Sequence, residues 1–588
     1  MTKTDQRLAA VRGAMRVQNL DGFLVPRADE HLGEYVPPSA ERLAWLTGFT
    51  GSAGLAVVLA ERAAVFTDGR YTLQLAAQSD ASLFEFRHLV ENPAPAWIAS
   101  HTSAGARIGY DPMLISEDGL AKYTEAGLTL VPAWPNPVDA AWTDRPPPPA
   151  ATAVPQPLRY AGKSSAEKRA EIAASLRAAK QDAAIVSDPA SIAWLLNIRG
   201  GDVAYTPFAL GFMLIEADAT AILFMDPAKL SPATSEWLGN GVSVRGRDAL
   251  EPALAGLGGK RVAVDASGSP AWFAQRLREG GARVVDAADP CALPKARKNA
   301  VEQDGARAAH RRDATAVCRF LHWLDGAARH TTEIGAAQRL LALRAEAAEF
   351  RGESFPAISG AGEHGAIIHY RVSEESDRPI RPDETYLIDS GAQYPDGTTD
   401  VTRTVWTGPG PAPSELRDRV TRVLRGHIAL ATAVFPDGVA GPHLDAFARR
   451  ALWDAGLDYD HGTGHGVGSF LSVHEGPASI SRAGRMVPLA EGMILSDEPG
   501  YYLPGAYGIR LENLLLVQRA DRPSANKPFL HFETLTLAPF DRRLIDETLL
   551  TAPERTWLDA YHARVLDQVG PALDAEARAW LEGACRPL

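Results

Sequence analysis

Five acidic or imidazole side chains in the last third of the chain have the residue types that bind hard divalent cations. They lie within residues 387–404, 461–477 and 496–513, three segments that ordinary packing would not readily explain. Four carboxylates and one imidazole form an oxygen-rich set that could hold two such cations in one site. The candidate ligands are Asp389, Asp400, His465, Glu498 and Glu512.

Asp389 and Asp400 stand on two predicted strands, 385–394 and 399–407, which are rich in β-branched and aromatic residues. The intervening Pro395-Asp396-Gly397 predicts a β-hairpin. A three-residue loop would place the two aspartates on opposite faces, because side chains alternate along a strand. A shared site therefore predicts a four-residue connection or a β-bulge.

The segment HGTGHGVGSFLSVHEG carries three histidines, His461, His465 and His474, among closely spaced glycines. The first two are four residues apart, as in the helical zinc-peptidase motif. However, Gly462 stands where that motif needs a glutamate, and the glycines disfavour a helix. We therefore predict an extended strand or loop that another part of the molecule approaches closely. Three imidazoles in so short a stretch favour chemistry over packing.

Glu498 and Glu512 flank a turn-rich loop between two strand patterns, 492–498 and 507–517. Arg510 lies two residues before Glu512 and so shares its face of the strand. A surface ion pair would explain both residues, but the apolar run that follows predicts burial. A buried glutamate needs a cation or a close hydrogen-bonding partner.

The run Gly360–Gly365 satisfies the GxGxxG pattern of dinucleotide sites, but the residues after it, AIIHYRV, have the pattern of a strand. A dinucleotide site needs a helix N-terminus at that point, so we assign the run to a loop. His369, within AIIHYRV, adds a fourth imidazole whose role spacing alone leaves undecided.

The first half of the chain contains two segments with one plan. In each, a helical pattern leads into an apolar strand, a Trp-Leu pair, a glycine-bearing turn and further strands. The run Pro146–Pro149 is a stiff linker between them. We predict two homologous α/β domains at 1–150 and 151–293, a catalytic domain at 294–525 and a C-terminal extension at 526–588.

Composition limits the class of protein and its partners. No apolar run approaches the length of about 18 residues that a membrane span needs, so no membrane partner is expected. The first residues lack a signal-peptide core and three cysteines cannot form a disulfide framework, which predicts a cytoplasmic location. A net charge of −12 without a basic cluster argues against nucleic acid as a partner.

The ligand segments, together with AWLTGFTGSAG, IAWLLNIRG and AHRRDATAVCRFLHWL, resemble Xaa-Pro aminopeptidase, or aminopeptidase P, of peptidase family M24 in its long three-domain cytosolic form. The resemblance covers most of the chain, and all five ligand positions match. It implies an α/β (α+β) fold, with two creatinase-like N-terminal domains before a pita-bread catalytic domain that has a curved antiparallel sheet. It also implies a homodimer.

The resemblance further implies a reaction and its cofactors. The enzyme would release the N-terminal residue from peptides with proline in second position, through a hydroxide that bridges two divalent ions. Manganese is the expected metal, with zinc and cobalt as alternatives. Asp389 would bind one ion alone, Asp400 and Glu512 would bridge both, and His465 and Glu498 would complete the other ion's ligands.

The resemblance assigns the remaining roles as well. Glu498 would take the proton of the nucleophile and return it to the leaving nitrogen. His369, His461 and His474 would hold the substrate carbonyl and stabilise the tetrahedral intermediate. Arg510 would orient the bridging carboxylates from behind.

Other interpretations belong to different classes of protein. A prolidase shares the five ligands but cleaves Xaa-Pro dipeptides, and the two N-terminal copies favour the aminopeptidase over it. A metal-free pita-bread module binds peptides or histones without cleaving them, but such modules lose ligands that this chain retains. A creatinase-like hydrolase of a small amidine is disfavoured by the extra domain.

Overall fold

The structure is a computed structural model that describes residues 3–327 and 330–588. Helices and strands alternate along it, in agreement with the predicted α/β (α+β) class. Contacts divide the chain into two compact units, Met1–Gln156 with Lys163–Cys291, and Pro157–Gly162 with Ala292–Leu588. Within the described residues, no helix combines the length and apolar character that crossing a membrane requires. The predicted domain boundaries at residues 150, 293 and 525 stay predictions.

The first unit contains the two predicted copies, and each forms a six-stranded mixed sheet of identical topology. In both, a central strand pairs antiparallel with one neighbour and parallel with the other, which confirms the shared plan. The strand order in the first sheet is Glu85–His88, Ala63–Thr67, Leu55–Leu59, Gly22–Pro26, Arg107–Tyr110 and Thr129–Pro132. In the second it is Val242–Arg245, Ala221–Phe224, Phe212–Glu216, Ala183–Val186, Arg261–Val264 and Arg283–Asp286.

In both copies the Trp-Leu pair lies on a short helix that ends in a left-handed residue. This residue is Gly48 in the first copy, with φ of 82°, and Asn197 in the second, with φ of 50°. Glycine and asparagine tolerate that conformation best. The α-helices of this unit are Lys3–Val17, Arg42–Thr47, Thr72–Gln78, Ala94–His101, Glu117–Glu125, Pro137–Ala141, Ser165–Ala178, Pro189–Leu196, Pro232–Leu238, Leu250–Ala255 and Ala271–Glu279. A short ladder joins Val154–Pro155 to Ile198–Arg199.

The second unit consists of antiparallel strands covered by helices. One sheet has the order Ile358–Ala361, Thr385–Ser390 and Val401–Trp406, and a larger one has the order Val434–Pro436, Phe529–Thr534, Asn513–Ala520, Ile494–Asp497, Gly464–Gly466 and Glu475–Ile480. Two small ladders pair Gln393–Tyr394 with Gly397–Thr398 and Gly500–Leu503 with Tyr507–Arg510. The α-helices are Leu158–Ala161, Ala292–Ala296, Ala300–Ala327, Glu333–Ala345, Ser414–Ala431, Asp445–Trp453, Ala552–Val569 and Ala575–Ala584.

The predicted hairpin that carries Asp389 and Asp400 is present, but its connection is shorter than predicted. Tyr394 pairs with Gly397, which leaves a turn of two residues, and Asp389 pairs with Thr402 in the same register. The expected four-residue connection or bulge is therefore wrong. A two-residue turn has the same parity as a four-residue one, so Asp400, two residues before Thr402, still shares the face of Asp389.

The residues after the GxGxxG run do not form the predicted strand. The strand Ile358–Ala361 ends inside the run, a 3-10 helix covers Gly362–Ala366, and His369 lies in the turn that follows. A short apolar run does not distinguish a strand from a turn of helix, which explains the error. The rejection of a dinucleotide site holds, because a five-residue 3-10 helix and not an α-helix begins there.

Candidate metal centre

Four of the five predicted ligands lie together in the second unit. Asp400, His465 and Glu512 each place one ligand atom so that the three atoms lie within 4.8 Å of one another. Nε2 of His465 is 3.5 Å from Oδ2 of Asp400 and 3.5 Å from Oε1 of Glu498. Glu498 therefore joins the cluster through the imidazole.

Asp389, the fifth predicted ligand, is held beside this cluster by Arg510. Nη2 of Arg510 donates to Oδ2 of Asp389 at 2.6 Å, and Oδ1 of Asp389 is buried without a hydrogen-bond partner. Nε of Arg510 donates to Oγ1 of Thr402 at 3.2 Å, and this hydroxyl donates to Oε2 of Glu512 at 2.7 Å. Arg510 thus contacts Asp389 directly and is linked to the carboxylate of Glu512 through Thr402.

The glycine-rich segment lies unusually close to its neighbouring strands. A Cβ atom on Gly464 would overlap the carbonyl oxygen of Ser496, and one on Gly466 would overlap that of Glu475. Only glycine fits at such positions, and the predicted close approach is confirmed. The close approach allows His465, between these two glycines, to reach the carboxylates.

Hydrogen bonding determines the tautomer of His465. Its Nδ1 lies 2.9 Å from the carbonyl oxygen of Gly466, which can only accept a hydrogen bond. We therefore assign the proton to Nδ1, so that Nε2 presents a lone pair toward Asp400 and Glu498. A backbone carbonyl on the distal nitrogen is a common arrangement for a metal-binding histidine.

The other three predicted histidines lie around Arg510 and His465. Nε2 of His461 is 2.8 Å from the hydroxyl of Tyr502, which accepts a hydrogen bond from Nη1 of Arg510 at 2.8 Å. His474 is exposed, and its ring stands edge-on to that of His465 with centroids 4.4 Å apart. His369 is partly buried, and the carbonyl before it, that of Ile368, accepts from Nη1 of Arg510 at 3.4 Å.

Two residues that sequence analysis did not single out connect these groups. Thr402 lies two residues after Asp400, so strand alternation could have placed it on the same face. Tyr502 had no comparable signal, because it stands beside Tyr501 and alternation does not tell which ring faces the site. Both are needed to describe how Arg510 reaches Glu512 and His461.

Without metal ions, the buried carboxylates of the cluster cannot all be ionised without a cost in free energy. Burial raises the pKa of Glu512 well above its usual value, and the charges of Asp400, Glu498 and Asp389 raise it further. Burial also raises the pKa of Glu498 to about 7, although the imidazole of His465, when it is protonated, and the guanidinium of Arg510 oppose this.

Unsatisfied acceptors complete the fit to a metal. One oxygen each of Asp389, Asp400 and Glu512 is buried without a hydrogen-bond partner. Buried acceptors and crowded carboxylates cost free energy unless cations compensate them. These residues therefore fit a centre for hard divalent cations.

We expect the stability of the metal-free protein to fall between about pH 4.5 and pH 7. The pKa of Glu498 is about 7 when folded and 4.5 ordinarily, so the folded state binds this proton more tightly and loses that advantage as pH rises. The loss should be a few kcal/mol. In chelator, the melting temperature of Glu498→Gln should fall less steeply with rising pH than that of the unaltered protein. Parallel curves for the two proteins would contradict the raised pKa of Glu498. Added divalent cation should stabilise most at high pH, because it competes with protons.

Family models match nearly the whole chain. Residues 304–519 match metallopeptidase family M24, and residues 528–588 match the C-terminal region of peptidase M24. Residues 7–136 and 144–302 each match a creatinase/prolidase N-terminal domain. The two N-terminal matches correspond to the two copies with identical sheet topology.

Named relatives and a solved structure are similar to this chain over its full length. A probable Xaa-Pro aminopeptidase P of Coccidioides posadasii is 38% identical over 100% of this chain and 99% of its own, and aminopeptidase P1 of Lotus japonicus is 38% identical over 99% and 100%. The X-prolyl aminopeptidase of Caenorhabditis elegans, described as a cytosolic enzyme with a di-nuclear active site, covers 100% of both chains with a TM-score of 0.94 and 33% identity. A prolidase of Thermococcus sibiricus shares the fold over 64% of this chain and 98% of its own, with a TM-score of 0.51 and 21% identity. The chain therefore belongs to the Xaa-Pro aminopeptidases of metallopeptidase family M24.

Proposed function

We propose that the protein is a metal-dependent aminopeptidase that releases the N-terminal residue from peptides with proline in second position. The observation that carries the proposal is the cluster of Asp400, His465 and Glu512, with Glu498 and Asp389 beside it. Full-length similarity to aminopeptidase P proteins supports the substrate class. The prolidase alternative has support over only part of the chain.

The ligand set would hold two divalent ions, and its oxygen-rich chemistry favours manganese. Asp389 would bind one ion, Asp400 and Glu512 would lie between the two, and His465 and Glu498 would bind the other. The di-nuclear site described for the Caenorhabditis elegans relative supports the number of ions. When bound, the ions would acidify a water molecule and polarise the scissile carbonyl.

Glu498 is suited to move a proton during the reaction. Its Oε1 accepts a hydrogen bond from Oγ of Ser496 at 3.1 Å, and 19% of its side chain is exposed, so a small molecule can reach it. In the metal-free protein, burial raises the pKa of this carboxylate to about 7. We assign Glu498 the transfer of a proton to the proline nitrogen that leaves.

A directed chain of hydrogen bonds orients His461. Arg510 donates to Tyr502, Tyr502 donates to Nε2 of His461, and Nδ1 of His461 donates to the carbonyl of Gly462 at 2.8 Å. Both ring nitrogens are therefore occupied, and His461 would reach a substrate only by exchanging the bond to Tyr502. The exposure of His474 supports the proposal that it contacts the substrate carbonyl.

Replacing His369 with alanine should leave both ions bound and slow turnover. Arg510 holds the carbonyl of Ile368, directly before His369. The proposed role of this imidazole is to donate to the substrate and not to bind an ion, so its removal is the loss of a donor to the substrate. Such a loss should lower kcat about a hundredfold. Metal analysis and steady-state kinetics test this, with the exposed His443→Ala as the matched control. Loss of an ion in His369→Ala would contradict the proposed role.

The direct test uses metal-stripped protein with and without manganese. An Xaa-Pro-Yaa tripeptide and an Xaa-Pro dipeptide are the substrates, and mass spectrometry identifies the products. Manganese-dependent release of the first residue from the tripeptide alone would support the proposal. Cleavage of the dipeptide alone would make the protein a prolidase, and no cleavage of either would favour a binding module.

Location and assembly are part of the same proposal. A cytoplasmic location is supported by the cytosolic description of the Caenorhabditis elegans relative. A homodimer is implied by the family resemblance. Light scattering would then give about twice the chain mass of 63.0 kDa.

A further inference from the structure

One helix of the C-terminal region, residues 528–588, reaches a buried polar network behind the metal ligands. Tyr561, on the helix Ala552–Val569, is almost fully buried, and its hydroxyl lies 3.0 Å from Nη2 of Arg403. We infer that this helix positions the metal centre, because Tyr561 contacts both Arg403 and the side chain of Asn513, the residue after Glu512. Arg403 in turn holds the backbone carbonyl of Glu512. The inference rests on the proposed metal centre.

Arg403 fixes the two backbone segments that hold the carboxylate of Glu512. The guanidinium is buried, and its Nη1 donates to the carbonyl oxygens of Thr402 at 2.8 Å and Glu512 at 2.6 Å. These same two residues are joined by their side chains, because the Thr402 hydroxyl donates to the Glu512 carboxylate. A shift of Arg403 would therefore change where this carboxylate lies.

Arg403 has four further hydrogen-bond acceptors, and three of them belong to the C-terminal region. Nη2 donates to Oδ1 of Asn513 at 2.8 Å, to the carbonyl of Ala538 at 2.7 Å and to the hydroxyl of Tyr561. Nε donates to the carbonyl of Pro539 at 3.2 Å. All these acceptors are neutral oxygens, so the buried charge depends on the full set of hydrogen bonds.

The network also reaches the residue before Glu498. Asn513 follows Glu512 directly, and its Nδ2 donates to Nε2 of His427 at 3.0 Å. Nδ1 of His427 lies 3.1 Å from the carbonyl oxygen of Asp497, to which it donates. Asn513 thus uses its oxygen toward Arg403 and its amide toward His427, which links the backbone around both glutamates.

Aromatic packing fixes the ring of Tyr561 independently of its hydroxyl. The ring of Trp557 stacks on it at 5.3 Å with an interplanar angle of 3°, and Phe540 packs against it at 5.3 Å. Nε2 of His562 accepts from the backbone N–H of Phe540 at 3.1 Å. Burial lowers the pKa of His562 to about 3, so this acceptor stays neutral. Phenylalanine at position 561 would keep the packing and remove only the polar contacts.

The test is Tyr561→Phe in the full-length protein. Titration of the metal-stripped variant with manganese should show about tenfold weaker binding of one ion, the size of effect expected when a group behind a metal ligand is lost. Turnover should show a lower kcat with little change in KM. The absorption spectrum of the cobalt-loaded protein should also change. Adding Asn513→Ala should give less than the sum of the single effects, because both residues act in one network.

A matched variant separates positioning from stability. Leu581→Ala removes a buried apolar side chain of the helix Ala575–Ala584, which can make no hydrogen bond to the network. It should therefore lower the melting temperature and leave metal affinity unchanged. The inference is overturned if Tyr561→Phe lowers only the melting temperature and binds both ions as tightly as the unaltered protein. Failure of the unaltered protein to bind two ions would instead overturn the proposed function.

Discussion

Replacing Asp400 with asparagine should abolish peptidase activity and release metal. Asp400 has one oxygen 3.5 Å from Nε2 of His465 and the other buried without a partner. Asparagine keeps the shape but removes the charge and can turn an N–H donor toward the cations. Losing several kcal/mol of electrostatic stabilisation corresponds to a fall in kcat/KM of about a thousandfold or more.

Metal content measured beside activity makes this prediction specific. Asp396→Asn is the matched control, because Asp396 lies in the turn of the same hairpin and pairs with Arg312 at 3.0 Å, away from the ligand cluster. It should retain both ions and full turnover. An Asp400→Asn protein that still binds two ions with unchanged affinity would contradict the role of Asp400 as a ligand between them.

The residue types of the candidate site could be predicted from the sequence, but the geometry of the strands that carry them was predicted less well. Asp389 and Asp400 share a face of the hairpin whenever the connection has an even number of residues. A shared face therefore excludes a three-residue loop but does not distinguish a two-residue connection from a four-residue one. Pro395-Asp396-Gly397 suggested the longer options. In the structure, Gly397 pairs with Tyr394, so only two residues form the turn.

The turn that carries His369 could not be predicted from the local sequence pattern. The apolar residues of AIIHYRV suggested a strand, but a backbone contact from elsewhere shapes this segment. A Cβ on Gly508 would overlap the carbonyl oxygen of Gly365, so the strand Tyr507–Arg510 lies directly against the 3-10 helix. No periodicity within the segment contains that information.

Long-range hydrogen bonds account for what sequence analysis missed. Arg510 contacts Asp389 from 121 residues away, and Arg403 contacts Tyr561 across 158 residues. The pattern of a single segment does not contain such contacts, so the link between the C-terminal region and the strands of the candidate ligands could not be predicted. The candidate metal ligands could be singled out because metal binding restricts the residue type, whereas a residue such as Tyr561 has no such restriction.

Replacing Glu498 with glutamine should separate metal binding from proton transfer. The amide oxygen of glutamine can still approach a cation, but the side chain cannot take up and return a proton. Losing a general acid and base should lower kcat between about a hundredfold and ten-thousandfold. Both ions should remain bound, with the ion near His465 held less tightly, because Glu498 and His465 lie 3.5 Å apart.

The pH profile distinguishes the two roles that Glu498 combines. Turnover of the unaltered enzyme should fall on the acid side as its base becomes protonated, whereas the residual turnover of Glu498→Gln should lose that limb. Glu491→Gln, which changes an exposed carboxylate paired with Arg519 at 2.7 Å, should behave like the unaltered enzyme. Retained ions with a lost acid limb would assign proton transfer to Glu498. Loss of an ion with an unchanged profile would reduce Glu498 to a ligand, and the proton would then have to move through another group.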